Sequence, residues 1–269
     1  MKKPKFSFVI ALAPYRNAEV VRYLKKLDCH KDNYEIIIEK GLNPSENRNK
    51  GVKKAKGEII VFIDDDATLE QDFLKKAEDF LNTHQEIDIV GGPQLTPPDE
   101  KGFAKISGLA LSSLFGAFSV KSRYKQASMK LDADEADLTS ANMLCRKEVF
   151  KKVKFDPRLW PGEDPDFISN AKSQGFKVAY SPEIFVYHRR RKNFSELAKQ
   201  IFSYGKTRMF KESFSQTLKR PYFLVPPLFL IYLILISFYS LLLLTFLNIS
   251  NYTTVIYFPF IIYILLSLF

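Results

Sequence analysis

Three consecutive carboxylates, Asp64-Asp65-Asp66, end the apolar run Ile59–Ile63. Hard divalent cations such as Mg²⁺ and Mn²⁺ seek carboxylate oxygens and commonly bridge a protein to a diphosphate. In open α/β sheets, ligands bind beyond the carboxyl ends of strands, so an acidic strand end is well placed for chemistry. The competing reading has Asp66 capping the next helix and Asp65 facing water. A second acidic cluster, Glu163-Asp164-Pro165-Asp166, follows Trp160-Pro161-Gly162 at a helix start. The helix dipole favours acids there in any case, but a carboxylate beside a reacting hydroxyl also serves as a general base. His188, one of three histidines with His30 and His84, follows the apolar run 184–187 and precedes three arginines. A lone histidine is more often structural, yet at a strand end it is a candidate metal ligand. Neither G-x-G-x-x-G nor G-x-x-x-x-G-K-S/T occurs, so a bound diphosphate would be held by a metal rather than by backbone amides.

These residues need a scaffold that gathers distant segments. Residues 1 to about 190 alternate short apolar runs with amphipathic stretches, the pattern of an α/β sheet covered by helices. Residues 6–12, 34–39, 59–63 and 87–90, rich in Ile, Val and Phe, read as strands. Residues 17–27 and 68–81 read as helices, the second with Leu69, Phe73, Ala77, Phe80 and Leu81 on one face. Residues 164–174 form a further helix, stopped by Gly175 where a left-handed cap is usual. The apolar, small-residue-rich stretch 103–120 fits an ordinary core helix or a surface element equally well. Residues 193–214 read as a basic amphipathic helix suited to the headgroup plane.

Charge divides the chain sharply. All 40 basic and 30 acidic residues lie at or before Arg220, and residues 221–269 carry none. A helix rising about 1.5 Å per residue needs about 20 apolar residues to cross about 30 Å of hydrocarbon. Residues 222–247 meet that length, and 255–269 are apolar again, so the tail is expected to be a transmembrane hairpin with a short second span. Lys and Arg crowd the approach to the first span, which places the large N-terminal part on the cytoplasmic face. The same crowding explains the net charge of +10 by anionic lipid rather than by nucleic acid. No segment near Met1 reads as a signal peptide, and Cys29 and Cys145 give no disulfide framework. The sequons at Asn248 and Asn251 stand too close to the membrane to be expected to carry glycans.

The order of motifs resembles family 2 glycosyltransferases of the GT-A fold over residues 5 to 215. The run 8–17, ending Pro14-Tyr15-Arg16-Asn17, is similar to the opening strand and its Pro-x-x-Asn turn. The run 44–51, with 55–58 after it, is similar to an Arg-Asn-x-Gly helix leading to the metal strand. Asp64 and Asp66 read as an Asp-x-Asp motif, 140–150 resembles the acceptor-side segment, and 162–166 resembles the Glu-Asp motif. Residues 202–208 also resemble a recurring family feature near the membrane.

The resemblance implies an α/β GT-A fold, a mixed and mostly parallel sheet flanked by helices, followed by C-terminal transmembrane helices. It implies Mn²⁺ or Mg²⁺ on Asp64, Asp66 and His188, and Asp164 as the base, with Glu163 beside it. It implies substrate contacts from Pro14, Tyr15, Arg16, Asn17, Glu39, Arg48, Asp64, Asp65, Asn142, Trp160 and Asp166. The expected reaction is an inverting single displacement from a UDP- or GDP-linked sugar. Where many relatives read the nucleobase with Asp-Asp-Gly-Ser, this chain has Ile38-Glu39-Lys40-Gly41, with Glu39 in that place. The expected domains are a catalytic domain 1–192, a basic juxtamembrane segment 193–220 and a transmembrane segment 221–269. Confinement to a membrane favours a lipid-linked or envelope-glycan acceptor, and no Gln-x-x-Arg-Trp motif points to a processive synthase. The rivals are a non-catalytic sugar- or nucleotide-binding membrane protein that keeps the fold, and a basic peripheral nucleic-acid binder.

Overall fold

The computed structural model describes residues 3–211 and 224–246. The chain forms two compact units, Met1–Thr207 and Arg208–Phe269. The first begins β1 (Phe6–Leu12), α1 (Val21–Leu24), β2 (Tyr34–Lys40), α2 (Pro44–Lys54), β3 (Ile59–Ile63), α3 (Phe73–Thr83) and β4 (Ile89–Gly91). It continues β5 (Gln94–Leu95), α4 (Gly102–Ser112), α5 (Leu114–Ala117), β6 (Asn142–Arg146), α6 (Glu163–Ser173), β7 (Val178–Tyr180) and β8 (Val186–Tyr187), and α7 (Phe194–Lys211) begins in it.

Six strands make one sheet in the order β2-β1-β3-β6-β4-β7, and β5 pairs with β8 in a second. β1 runs parallel to β2 and β3, and β4 parallel to β7; only β6 is reversed. The sheet is therefore mixed and mostly parallel, as expected. Side chains of adjacent strand residues point to opposite faces, and the core divides accordingly. Phe6, Phe8, Ile10, Val61 and Ile63 pack with Leu24 and with Phe73, Leu74 and Ala77 of α3. Val9, Ile60 and Phe62 face the other way, toward Val52 of α2 and Phe167, Ile168 and Ala171 of α6. β3 is buried on both faces, which is why its five residues are all apolar.

Two helices are shorter than the sequence suggests. Residues 13–20 turn instead of coiling, because the Val20 N–H donates to the Asp65 carbonyl at 2.9 Å, and only Val21–Leu24 is helical. The backbone of Thr68 exchanges two 2.8 Å hydrogen bonds with Tyr187, so α3 starts at Phe73 rather than at 68. The strand expected at 87–90 is β4, shifted to Ile89–Gly91. Gly175, at φ +88°, ends α6 as anticipated, with the Phe176 N–H returning to the Ala171 carbonyl at 3.1 Å. The stretch 103–120 breaks into α4, α5 and a 3₁₀ turn; α4 buries Ala104, Ser107 and Gly108 and leaves Ile106 and Leu109 exposed.

In the second unit, α8 (Val225–Phe246) is 22 residues long and uncharged. Among the described residues, no helix is long and apolar enough to cross a membrane. The membrane expectation therefore rests on the sequence of the whole helix. The second span expected at 255–269 lies outside the described residues.

Gly92, between β4 and β5, lies close against the backbone that joins β7 to β8. A Cβ there would lie 1.9 Å from the Ile184 carbonyl oxygen and 2.4 Å from that of Ser181. Because backbone on both sides must shift, Gly92→Ala is expected to destabilise the first unit by about 1–3 kcal/mol, read as a lowered thermal midpoint against the native chain.

Candidate active site

The parallel strands β1, β2 and β3 deliver their carboxyl ends to one edge of the sheet, where β2 ends with Glu39 and Lys40 and the loops after β1 and β3 carry Arg16 and Asp64–Asp66. β8 reaches the same edge by its bridge to Thr68, which sets His188 against the acidic strand end. His188 Nε2 lies 3.3 Å from Asp64 Oδ2 and 3.1 Å from Asp66 Oδ1. One ligand atom from each of these three residues lies within 4.8 Å of the others. Asp66 caps no helix, and Asp65 is only 5% exposed, so neither bland reading of the triplet holds. Arg16 reaches both, with Nε 2.9 Å from Asp65 Oδ2 and Nη2 donating to Asp66 Oδ2 at 2.6 Å.

The electrostatics follow from burial and these partners. Burial alone would raise Asp66, but His188 and Arg16 outweigh it and hold the carboxyl well below its usual range. Burial opposes a charged His188, yet Asp64 and Asp66 push the imidazole up to about 9. Asp65 rises to about 6, chiefly through burial, with Arg16 opposing and the flanking carboxylates adding to it. Asp66 Oδ1, which contacts the imidazole outside hydrogen-bond geometry, and His188 Nδ1 are buried without a hydrogen bond. Two carboxylates and an imidazole converging with an unsatisfied oxygen fit a divalent cation.

Arg48 joins this cluster to the second acidic group. Its guanidinium is 7% exposed, lies over the Phe155 ring at 5.4 Å and donates from Nη1 to Glu163 Oε1 at 2.7 Å. It also stands 3.9 Å from Asp164 Oδ1 and 4.0 Å from Asp64 Oδ1. Burial would lower the Arg48 pKa, but Asp164, Glu163 and Asp64 outweigh it. Glu163 is raised by its own burial and by Asp164 despite Arg48. Its second oxygen accepts the Gly162 N–H at 2.9 Å. Asp164 Oδ2 accepts the backbone N–H of Ser140 at 3.0 Å, while Oδ1 is buried without a hydrogen bond. Asp164 thus keeps one oxygen oriented and one available.

The model of the family described as "Glycosyltransferase like family 2" matches residues 35–204. The chain belongs to glycosyltransferase family 2. It is 25% identical over 177 residues to glycosyltransferase AglE of Haloferax volcanii, a match covering 65% of this chain and 54% of AglE. It is 26% identical over 206 residues to the uncharacterized glycosyltransferase MJ1057 of Methanocaldococcus jannaschii, covering 74% of this chain and 67% of that one. The match thus spans little more than half the length of AglE. Among solved structures, Staphylococcus aureus TarS with UDP-GlcNAc superimposes at a TM-score of 0.53 with 16% identity, over 71% of this chain and 60% of that one. The Pyrobaculum calidifontis mannosyltransferase PcManGT, with GDP-Man and Mn²⁺, gives 0.52 with 14% identity, over 74% of this chain and 60% of that one. These likenesses show the GT-A fold of the catalytic unit.

Within this glycosyltransferase fold the other expected residues fall into two groups. Pro14, Tyr15, Arg16 and Asn17 are exposed in the loop after β1, and Trp160, 59% exposed, precedes the Glu-Asp motif. Glu39, at the end of β2, pairs with Lys54 at 2.6 Å. Asp166 accepts from Asn170 Nδ2 at 2.9 Å. Asn142 is buried, and its amide donates to the Ile184 carbonyl at 2.7 Å, which ties β6 to the segment leading to His188. Three positioning contacts escaped the sequence. Asn49 brackets the Phe155 backbone with bonds of 2.8 and 3.2 Å, Asn43 donates to the Pro157 carbonyl at 2.8 Å, and Ser140 orients Asp164. For Asn43 and Asn49 the one sequence signal is their place at and on the polar helix α2. Tyr204 of α7 lies in the run 202–208 that resembles a recurring family feature. Tyr204 is half-exposed, and its hydroxyl accepts from Gln200 Nε2 at 3.0 Å.

Replacing Arg48 by Met would leave Glu163 buried without its cation. The expected cost is about 3–5 kcal/mol, and adding Glu163→Gln should recover much of it. Chemical denaturation of the native chain, the single variant and the double variant checks both statements.

Proposed function

We propose that the chain is a metal-dependent inverting glycosyltransferase that moves a sugar from a UDP- or GDP-linked donor to an acceptor hydroxyl. The observation that carries this reading is the joining of the Asp64, Asp66 and His188 cluster to Asp164 through the buried Arg48. UDP-GlcNAc in TarS and GDP-Man with Mn²⁺ in PcManGT support the donor class and the choice of ion.

Asp64, Asp66 and His188 would hold Mn²⁺ or Mg²⁺, which would offset charge on the departing nucleoside diphosphate. Asp164 takes the proton of the acceptor hydroxyl through its free Oδ1. The hydroxyl oxygen then attacks the anomeric carbon from the face opposite the leaving group, the bond to the diphosphate oxygen breaks, and the configuration inverts. Ser140 and Arg48 act through Asp164: one orients its carboxylate through Oδ2, and the other stands 3.9 Å from Oδ1 as a counter-charge. Glu163, committed to Arg48 and the Gly162 N–H, is a positioning residue. Trp160 offers an exposed ring on which an acceptor sugar can stack.

The uncharged helix α8 and the basic stretch before it support a catalytic unit held at the cytoplasmic face of a membrane. An enzyme so confined gains most from an acceptor in the same surface, a lipid-linked or envelope glycan. In a transfer assay with UDP- and GDP-sugars, Asp164→Asn should keep nucleotide binding and lose about 10²–10⁴-fold in kcat. The native product should show the inverted anomer. Retained turnover in Asp164→Asn would remove it as the base, and a retained anomer would remove single displacement.

A further inference from the structure

Each oxygen of Asp66 lies close to a side-chain nitrogen. Oδ2 accepts from Arg16 Nη2 at 2.6 Å, and Oδ1 lies 3.1 Å from His188 Nε2. A divalent cation held by Asp64, Asp66 and His188 would keep His188 as a ligand, so the cation whose place on Asp66 it contests is Arg16. The two side chains differ in freedom to move. His188 has a side chain only 17% exposed, and its backbone N–H is fastened to the Leu95 carbonyl at 2.9 Å. Arg16 has a side chain 42% exposed and sits on a surface turn closed by its own N–H on the Ala13 carbonyl at 3.0 Å. Swinging Arg16 away breaks surface contacts and opens no core.

We propose that Arg16 is a tethered counter-cation that occupies Asp66 until the metal binds and then pairs with the diphosphate of the donor. The proposal rests on reading the cluster as a metal and nucleoside-diphosphate site, and it adds a residue that competes with one ligand and recruits the other. Once a dication sits on Asp66, the guanidinium faces like charge at short range and is driven off. The donor brings the one new anion, and a guanidinium fork matches phosphate oxygens better than any other side chain. Asp65, buried at 5% exposure and 2.9 Å from Arg16 Nε, keeps the arginine at the mouth of the site. Metal and nucleotide therefore bind more tightly together than apart, since each removes the partner that would oppose the other.

The test is calorimetric titration of the full chain with Mn²⁺ alone, then with UDP and GDP at saturating Mn²⁺, for the native protein, Arg16→Ala and Asp66→Ala. Arg16→Ala should bind Mn²⁺ alone about three- to ten-fold more tightly and the nucleotide about ten-fold more weakly. Asp66→Ala should lose Mn²⁺ binding. If Arg16→Ala binds Mn²⁺ with unchanged or lower affinity while Asp66→Ala still abolishes binding, the exchange is overturned and the metal site stands. Unchanged nucleotide affinity in Arg16→Ala overturns the diphosphate half. Absence of Mn²⁺ binding in both the native chain and Arg16→Ala removes the metal reading and the exchange with it.

Discussion

The guanidinium of Arg48 is a buried cation, and a buried cation must be met by counter-charge and hydrogen bonds or it destabilises the fold. Here that counter-charge comes from Asp64, Glu163 and Asp164, so the demand of one side chain draws two acidic segments about a hundred residues apart in sequence into one site. The Phe155 ring beneath the guanidinium, itself stacked on Phe167 at 4.4 Å, makes the arrangement part of the core as well as of the cleft. Asp164 and the Asp64, Asp66 and His188 cluster are thereby held in one electrostatic unit. A change in either is felt by the other.

The sheet makes this possible by simple geometry. Parallel β1, β2 and β3 end at one edge, reversed β6 begins there with Asn142 paired to Ile63, and β8 returns to it beside Thr68. Loops at that edge are free to carry polar residues because the core is held by the strands behind them, above all by β3, which is apolar on both faces. α2 contributes from the side, with Arg48 and Asn49 pointing to the loop that precedes α6. Its capping residue, Asn43, accepts from the Ser45 and Glu46 N–H groups and donates to Pro157. One helix thus binds the acidic loop by backbone and side chain together.

Much of this is legible in the sequence because it depends on local pattern. The run Ile59–Ile63 is a buried strand wherever it occurs, and acids directly after it must stand at its carboxyl end. Gly175 is a left-handed cap for reasons internal to one turn. What could not be read depends on contacts between distant segments. The helix expected at 17–27 shrinks because Asp65 claims the Val20 N–H, and α3 starts late because Tyr187 claims the backbone of Thr68. The ion pairs of Arg16 and the reach of Ser140 to Asp164 are of the same kind: each residue looks ordinary until the fold supplies its partner.

The central claim is that the carboxylate and imidazole cluster binds a divalent cation that in turn holds a nucleoside diphosphate. The most direct measurement is equilibrium binding of UDP and GDP to the full chain with Mn²⁺ and with chelator. The account predicts that one nucleotide binds with Mn²⁺ and that this binding is lost with chelator. Equal binding under both conditions, or none under either, would contradict it.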